Sequence, residues 1–538
     1  MIRAFFLFLF LPIRVLFFLY QLLRLKLSKS SEYFLEIPEE FQRERKSFFY
    51  RLLDGKEEAP TFIQFLNECK LIGEHKNIRK VHVYVPEIQF GTATVYLIRE
   101  ELLNLKHKGI EIEIFCEAGN LDSLLLMEVG TTRLSISSSE FHVKIPSIES
   151  IFYGEFFKKW KVEIDVFQSG KYKSFGETFT RKNFTQEAKA NLEFLVKDLN
   201  SEMENSLPSL DKSIRKLPFL HAELLKEKGF LHQFVEETEF VKRRETSASY
   251  SILARNHYVS TFRLFPKRIP KVILFPLEGS IQAGSRQEKS PRSGTIEAYP
   301  IREALREISE DKSIRGVLFL VNSPGGSALH SEILYREIKA LQENKLIFSY
   351  ILDVGASGGY YISLGAKEIH TTPFSILGSI GAIALRPNLK KTLENFGVTT
   401  DVVGDYSGRE AFSLFSPLRG ETKQFFQKEI QRVEDQFYTR VMENRKKTRK
   451  EMESIGQGKV YSGKKSLELG LVDSITTINQ ILEKMKTILK TDKLELITSL
   501  PEYSWKAAMG KFSLLQISSA IKNKTGIQYR FLGKRGFF

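Results

Sequence analysis

The sequence predicts an α/β protein of two tandem lobes that arose by internal duplication, preceded by an N-terminal hydrophobic helix. Three observations predict this class. The chain resembles itself over a long distance, its short apolar runs end in glycine-rich turns that lead into helical patterns, and its 538 residues exceed one ordinary core. The self-resemblance can be traced by hand. Phe115-Cys-Glu-Ala-Gly119 through Val129-Gly-Thr-Thr-Arg-Leu134 parallels Tyr350-Ile-Leu-Asp-Val354 through Leu364-Gly-Ala-Lys-Glu-Ile369 at a constant offset. Val162-Glu-Ile-Asp-Val166 parallels Val398-Thr-Thr-Asp-Val402 after a small shift, and Gly229-Phe-Leu231 echoes Gly470-Leu-Val472. An apolar fraction of 42% with 12% aromatics excludes a largely disordered chain.

In chain order, the apolar runs 4–13 and 15–20, broken by Arg14, are together long enough to span a bilayer. No small-residue cleavage site is evident, so residues 1–28 are expected to be an uncleaved membrane anchor. A central arginine costs about 2.5–3.5 kcal/mol on insertion scales, which keeps a tilted or interfacial helix as the alternative. Basic residues on both sides, Arg3, Arg24 and Lys26, leave the orientation open. Residues 29–78 read as a charged, partly helical leader. The first lobe, 79–240, opens on the strand Lys80-Val-His-Val-Tyr-Val85 and carries an amphipathic helix near 187–207. Residues 241–270, with Lys242-Arg-Arg244 and Pro266, read as a linker. The second lobe, 271–490, opens on Lys271-Val-Ile-Leu-Phe-Pro-Leu277, has a loop at 284–294 and a long charged helix at 425–455. A basic, aromatic tail, 491–538, follows.

Two turns in the second lobe carry the chemistry. The apolar runs 316–321 and 346–352 have the length and composition of buried strands. They lead to Asn322-Ser-Pro-Gly-Gly-Ser327 and Gly355-Ala-Ser-Gly-Gly-Tyr360. Glycine lets a backbone turn tightly and bring its amides close to a ligand, and a helix N-terminus adds unpaired donors. Together the turns form a candidate oxyanion pocket and a candidate serine nucleophile, Ser357. The amides of Gly325 or Gly326 and of Gly358 are the candidate donors. In the repeat Asp122 falls opposite Ser357 and Ser123 opposite Gly358, so the first lobe has lost both nucleophile and glycine. Gly279–Ile281, including Ser280, and Gly378–Gly381, including Ser379, are candidate extended edges for binding a peptide.

Ser323-Pro-Gly-Gly-Ser327, Ala356-Ser-Gly-Gly-Tyr360 and Leu377-Gly-Ser-Ile-Gly381 resemble the S49 family of serine proteases, the signal peptide peptidases, in its long two-lobed form. Gly458-Lys-Val-Tyr-Ser-Gly463 through Leu469-Gly-Leu-Val-Asp473 extends the resemblance, which covers about residues 80–480. It implies ClpP/crotonase-like lobes and a serine–lysine dyad. Ser357 matches the nucleophile, and Lys173, in Gly170-Lys-Tyr-Lys-Ser174, matches the general base contributed by the first lobe. In the repeat Lys173 falls near Arg409 and Glu410, where no Tyr-Lys-Ser survives, so each lobe supplies half of one site. The resemblance further implies a homo-oligomer on the outer, periplasmic side of a bacterial inner membrane. It implies as substrates cleaved signal peptides and other short hydrophobic peptides.

A lysine beside Lys171 in a polar loop reads by itself as a solvated surface charge. Ser174 reads as a turn-capping hydroxyl. His330, on the helix after the first glycine turn, is a competing base whose helical position carries it away from the turn, and His370 reads as a packed strand histidine. No metal-ligand motif, phosphate loop or dinucleotide fingerprint occurs, so neither metal nor cofactor is implied. Cys69 and Cys116, the two cysteines, provide no disulfide framework. The net charge of +15 is scattered or interleaved with glutamate, which favours attraction to anionic membrane lipids over nucleic acid. Two other functions compete with peptide hydrolysis: a crotonase-fold acyl-CoA hydrolase or isomerase, which needs no serine nucleophile, and a catalytically silent membrane scaffold.

Overall fold

The computed structural model describes residues 11–26, 30–42, 60–262, 269–285, 294–404 and 408–497. Most of the tail and parts of the expected anchor, leader, linker and 284–294 loop lie outside the described residues.

Two parallel sheets organise the chain. In the first, the strands Glu32–Glu36, Lys80–Val85, Glu111–Cys116, Thr132–Ser135 and Gln233–Phe234 lie side by side in chain order. Val81, Val83, Ile112 and Ile114 have no exposed surface, as expected of β-branched residues in a sheet covered on both faces. In the second, Lys271–Glu278, Ile314–Ser323, Leu346–Ala356, Glu368–Thr371 and Ser474–Ile475 follow one another in the same way. A small antiparallel element also recurs. Glu140–His142 pairs with Phe219–His221, and Ile376–Gly378 pairs with Val460–Ser462.

The second sheet joins the two halves. Ile273, Phe275, Val317, Phe319 and Ile351 belong to the core of the second half. Val272, Leu274, Leu318, Phe348 and Tyr350, which alternate with them as the pleat requires, pack with Leu66 and Leu97 from the first half and with Ile478, Ile481 and Leu482. A further strand crosses between halves: Glu163–Gln168 runs antiparallel to Ile383–Asn388. The equivalence expected between 162–166 and 398–402 is not realised, because 398–402 forms no strand.

Several boundaries differ from the expected ones. Residues 29–78 are not merely a leader. Glu32–Glu36 is the edge strand of the first sheet, and Tyr33, Leu35, Phe65 and Ile72 are buried in its core. The first lobe therefore begins near residue 30 rather than 79. In the linker, Ala248 and Leu253 enter the same core. At the other end, Glu495–Ile497, expected in the tail, pairs with Lys271–Ile273 and extends the second sheet. The long charged helix is two helices, Gly420–Arg445 and Arg449–Ile455. Lys446 in the left-handed region ends the first, and Thr448 caps the second.

No described helix is long and apolar enough to cross a membrane. The helix Leu11–Lys26 lies along Tyr250–Thr261 instead, with Phe17 edge-on to Tyr258 at 5.3 Å and Phe18 stacked on Phe262 at 4.4 Å between ring centroids. The expected membrane span thus finds no support among the described residues.

Candidate active site

Ser357 sits directly after the strand Leu346–Ala356 and before the helix Gly358–Ser363. Its φ of 52° is a left-handed conformation that costs a side-chain-bearing residue energy, and it places the hydroxyl on a sharp turn. The turn is held from behind. The Ser357 amide donates to the Gly378 carbonyl at 2.8 Å, and Gly378 is in turn paired to Val460.

The oxyanion turn lies against this one. Gly325 has a φ of 103°, and a Cβ at that position would stand 2.7 Å from the Gly358 amide nitrogen and 2.8 Å from Ser357 Cβ. Only glycine allows so close an approach. The Gly325 amide is already used, donating to Ser323 Oγ at 3.2 Å. Among the described residues, the Gly326 and Gly358 amides have no protein acceptor, which makes these two, rather than Gly325, available to a ligand oxygen. Gly279 and Ser280, expected to bind substrate, lie beside this turn. Ser323 Oγ donates to the Gly279 carbonyl at 2.7 Å, while Ile281 accepts from the Ser327 amide and donates to the Gly325 carbonyl, each at 2.9 Å.

Lys173 comes from the other half of the chain. The loop after Glu163–Gln168 is carried into the second half by the cross-strand pairing. It is then fastened by hydrogen bonds from Ser169 N to Ala382 O at 2.9 Å and from Tyr172 N to Gln457 O at 3.0 Å. Gly458 leaves room for it, since a Cβ there would come within 2.5 Å of the Lys173 nitrogen. The lysine is buried, not a solvated surface charge, with 7% of its surface exposed. Its Nζ donates to Ser357 Oγ at 3.1 Å, to the Ser379 carbonyl at 2.7 Å and to Ser379 Oγ at 2.9 Å. Burial pulls its pKa down to about 8, while the Glu434 carboxylate opposes that fall.

Ser379, expected at a substrate-binding edge, is therefore a direct partner of the lysine. It too is left-handed, at φ 53°, with Gly378 before it at 98°. The sequence carries no signal for this contact beyond the Leu-Gly-Ser-Ile-Gly pattern, because only the tertiary fold brings residue 379 to residue 173. Ser174 begins a short 3-10 helix, and among the described residues no hydrogen bond joins its hydroxyl to the lysine. His330 is held by Ser327 Oγ at 2.8 Å and by the edge of Tyr299, and His370 is 1% exposed and paired with Ser474 Oγ at 2.8 Å. Neither imidazole shares a hydrogen bond with Ser357 among the described residues. The described residues contain no cluster of metal-ligating side chains. The arrangement can activate a hydroxyl: a neutral Lys173 amine is within reach of its proton, and two free amides flank the place where negative charge would form.

A cavity of about 600 Å³ between the halves is lined by Glu101, Asn479 and Leu482 rather than by the serine and lysine. The chemistry lies in the tight contact of two loops instead.

The profile of Peptidase family S49 matches residues 339–492, which include Ser357 and Ser379. A putative protease of Synechocystis is 31% identical over 38% of this chain and 74% of its own length. The chain belongs to peptidase family S49. Family members align well beyond the profile match. Protease 4 of Haemophilus influenzae is 27% identical over 66% of this chain and 60% of its own length. The chloroplastic serine protease SPPA of Arabidopsis thaliana is 27% identical over 79% of this chain and 66% of its own length. The chain thus spans about two thirds or less of these two relatives. Among solved structures, a ClpP1 mutant from Listeria monocytogenes aligns with 38% of this chain at 13% identity and a TM-score of 0.26.

Proposed function

We propose that this protein is a serine endopeptidase with a serine–lysine dyad assembled from both halves of one chain. The observation that carries the reading is the 3.1 Å contact between the buried Lys173 Nζ and Ser357 Oγ. In the proposed reaction, Ser357 Oγ attacks a peptide carbonyl as its proton passes to neutral Lys173 Nζ. The Gly326 and Gly358 amides stabilise the oxyanion. The Lys173 ammonium then gives its proton to the leaving amine, and water hydrolyses the acyl-enzyme with the lysine again acting as base. Ser379 keeps Nζ aimed at the serine through both steps.

The recurrence of the same five-strand order in both sheets supports an origin by tandem duplication of a ClpP/crotonase-like unit. The backbone at Gly279–Gln282, beside the oxyanion turn, is the proposed docking edge for an extended peptide. Short hydrophobic peptides, remnant signal peptides among them, are the proposed substrates, in keeping with a relative from Enterococcus faecium named as a putative signal peptide peptidase. Exposed Trp160, Phe175, Val403 and Phe412 support association with apolar partners or with further copies of the chain. The apolar runs within residues 4–20 support attachment to a membrane, and the family resemblance favours the outer face of a bacterial cytoplasmic membrane.

A serine-directed fluorophosphonate tests the proposal. The parent is expected to be labelled at Ser357 and to lose hydrolysis of a fluorogenic hydrophobic peptide in step with labelling. Hydrolysis undiminished by Ser357→Ala sinks the nucleophile assignment and returns the acyl-CoA reading to first place.

A further inference from the structure

The first half retains a glycine turn at a helix N-terminus, and the second half fills it. Gly91 precedes the 16-residue helix Thr92–His107 and has no side chain to cap it. The four leading amides of a helix need acceptors, and they favour negative charge. The carboxylate that answers this need is Asp353, on the strand Leu346–Ala356 that leads into Ser357. Its Oδ1 accepts from the Ala93 amide at 3.1 Å, and its Oδ2 accepts from Thr94 Oγ1 at 3.3 Å. Gly91 is required for the approach, because a Cβ there would overlap the Asp353 carboxylate.

Two further contacts give this bond a bearing on the site. The next residue, Val354, donates its amide to Asn322 Oδ1 at 3.1 Å, which ties the same stretch of strand to the residues leading into the oxyanion turn. On the first-half side, Asp122 is hydrogen-bonded to Thr92, feels the charge of Asp353, and has Oδ1 sealed from solvent without a partner among the described residues. In the repeat Asp122 stands opposite Ser357. The first half thus holds a carboxylate of the catalytic half at the place corresponding to the catalytic turns.

We infer that Asp353 is a positioning residue: anchored on the N-terminus of Thr92–His107, it fixes the strand carrying Ser357 relative to the half carrying Lys173. The inference rests on the cross-lobe dyad proposed above. Lysine and serine belong to different halves, so their separation depends on how the halves are registered, and a shift of about 1 Å can cost about 10²-fold in rate.

The test uses the full chain and a fluorogenic peptide. Asp353→Ala is expected to lower kcat about 10-fold or more with KM within about twofold. Asp353→Asn keeps an acceptor oxygen for the Ala93 amide and is expected to recover kcat to within about threefold of the parent. Parent-like kcat in Asp353→Ala overturns the inference, and so does an Asp353→Asn as impaired as Asp353→Ala. If Asp353→Ala does not fold, Thr94→Val decides: it removes one donor to the carboxylate, and a fall in kcat at unchanged KM supports the anchor while a parent-like kcat rejects it. Ser357→Ala, run alongside, separates the two failures. If it alone abolishes turnover, only the Asp353 role falls; if it leaves turnover intact, the dyad itself is wrong.

Discussion

The two halves lay down five parallel strands in the same order, yet they finish the third strand in opposite ways. In the second half, Leu346–Ala356 leads into a left-handed serine followed by glycines, facing a turn whose Gly326 amide has no acceptor among the described residues. In the first, Glu111–Cys116 leads to a helix that begins at Leu121, capped by Asn120 and carrying Asp122 and Ser123. The neighbouring first-half helix, Thr92–His107, does not have a free N-terminus either, because Asp353 sits on it. The difference shows that the scaffold alone does not make a site. In the proposed site, an unoccupied pair of donors lies beside the serine, with the lysine delivered from elsewhere. The first half contributes instead a buried lysine on a loop that crosses into its neighbour.

The contrast between the halves is tested most sharply by restoring the first-half turn. Ser357→Ala is expected to lower kcat at least about 10³-fold, and adding Asp122→Ser with Ser123→Gly is expected to restore nothing, because Lys173 serves only the second half. Recovery of turnover in the triple variant would show that the first half holds a latent site.

A smaller effect is expected where the second-half turn is made more like an ordinary backbone. Gly325→Ala puts a methyl against the Gly358 amide at a φ of 103°. It is expected to lower kcat about 10²–10³-fold while KM changes far less, as for loss of an oxyanion donor. Equal losses in kcat and in thermal stability would instead assign Gly325 a purely structural part.

The smallest effect concerns the buried carboxyls between the halves. Burial, then the Asp353 charge, pushes Asp122 up to about 6, while a hydrogen bond from Thr92 acts the other way. Its folded pKa thus exceeds that of an unfolded aspartate, so the proton it binds stabilises the fold at low pH, and this contribution is lost as pH rises through about 6. Asp122→Asn removes the charge. It is expected to stabilise the protein by about 1–2 kcal/mol at pH 8, seen as a rise in Tm, with the gain fading below about pH 5. A gain independent of pH would point to packing rather than charge.

Much of the second half was legible in the sequence, because unbroken apolar runs followed by Ser-Pro-Gly-Gly and Ala-Ser-Gly-Gly leave few alternatives to buried strands with tight turns. Ser357 and the glycines follow from that pattern. Lys173 did not follow from local chemistry, since its neighbours are polar and its burial is created by residues 380–382 and 457–458, far along the chain. It was legible only through the resemblance of its short motif. The contact of Ser379 with the lysine is not legible for a related reason: its left-handed backbone turns it to the lysine, and nothing in the sequence shows that orientation. The edge strand Glu32–Glu36 was hidden by the charge density of the segment around it, although Tyr33, Phe34 and Leu35 are all buried.

In the proposed enzyme one site is built from both halves, with Lys173 as the base for Ser357. The direct test is kcat/KM for a fluorogenic hydrophobic peptide between pH 6 and 10, for the parent and for Lys173→Ala. Because burial pulls the lysine pKa down to about 8, the parent is expected to gain rate as pH rises through about 8, and Lys173→Ala is expected to fall at least about 10³-fold and lose that rise. A folded Lys173→Ala that retains the parent rate and the same pH profile would place the base elsewhere.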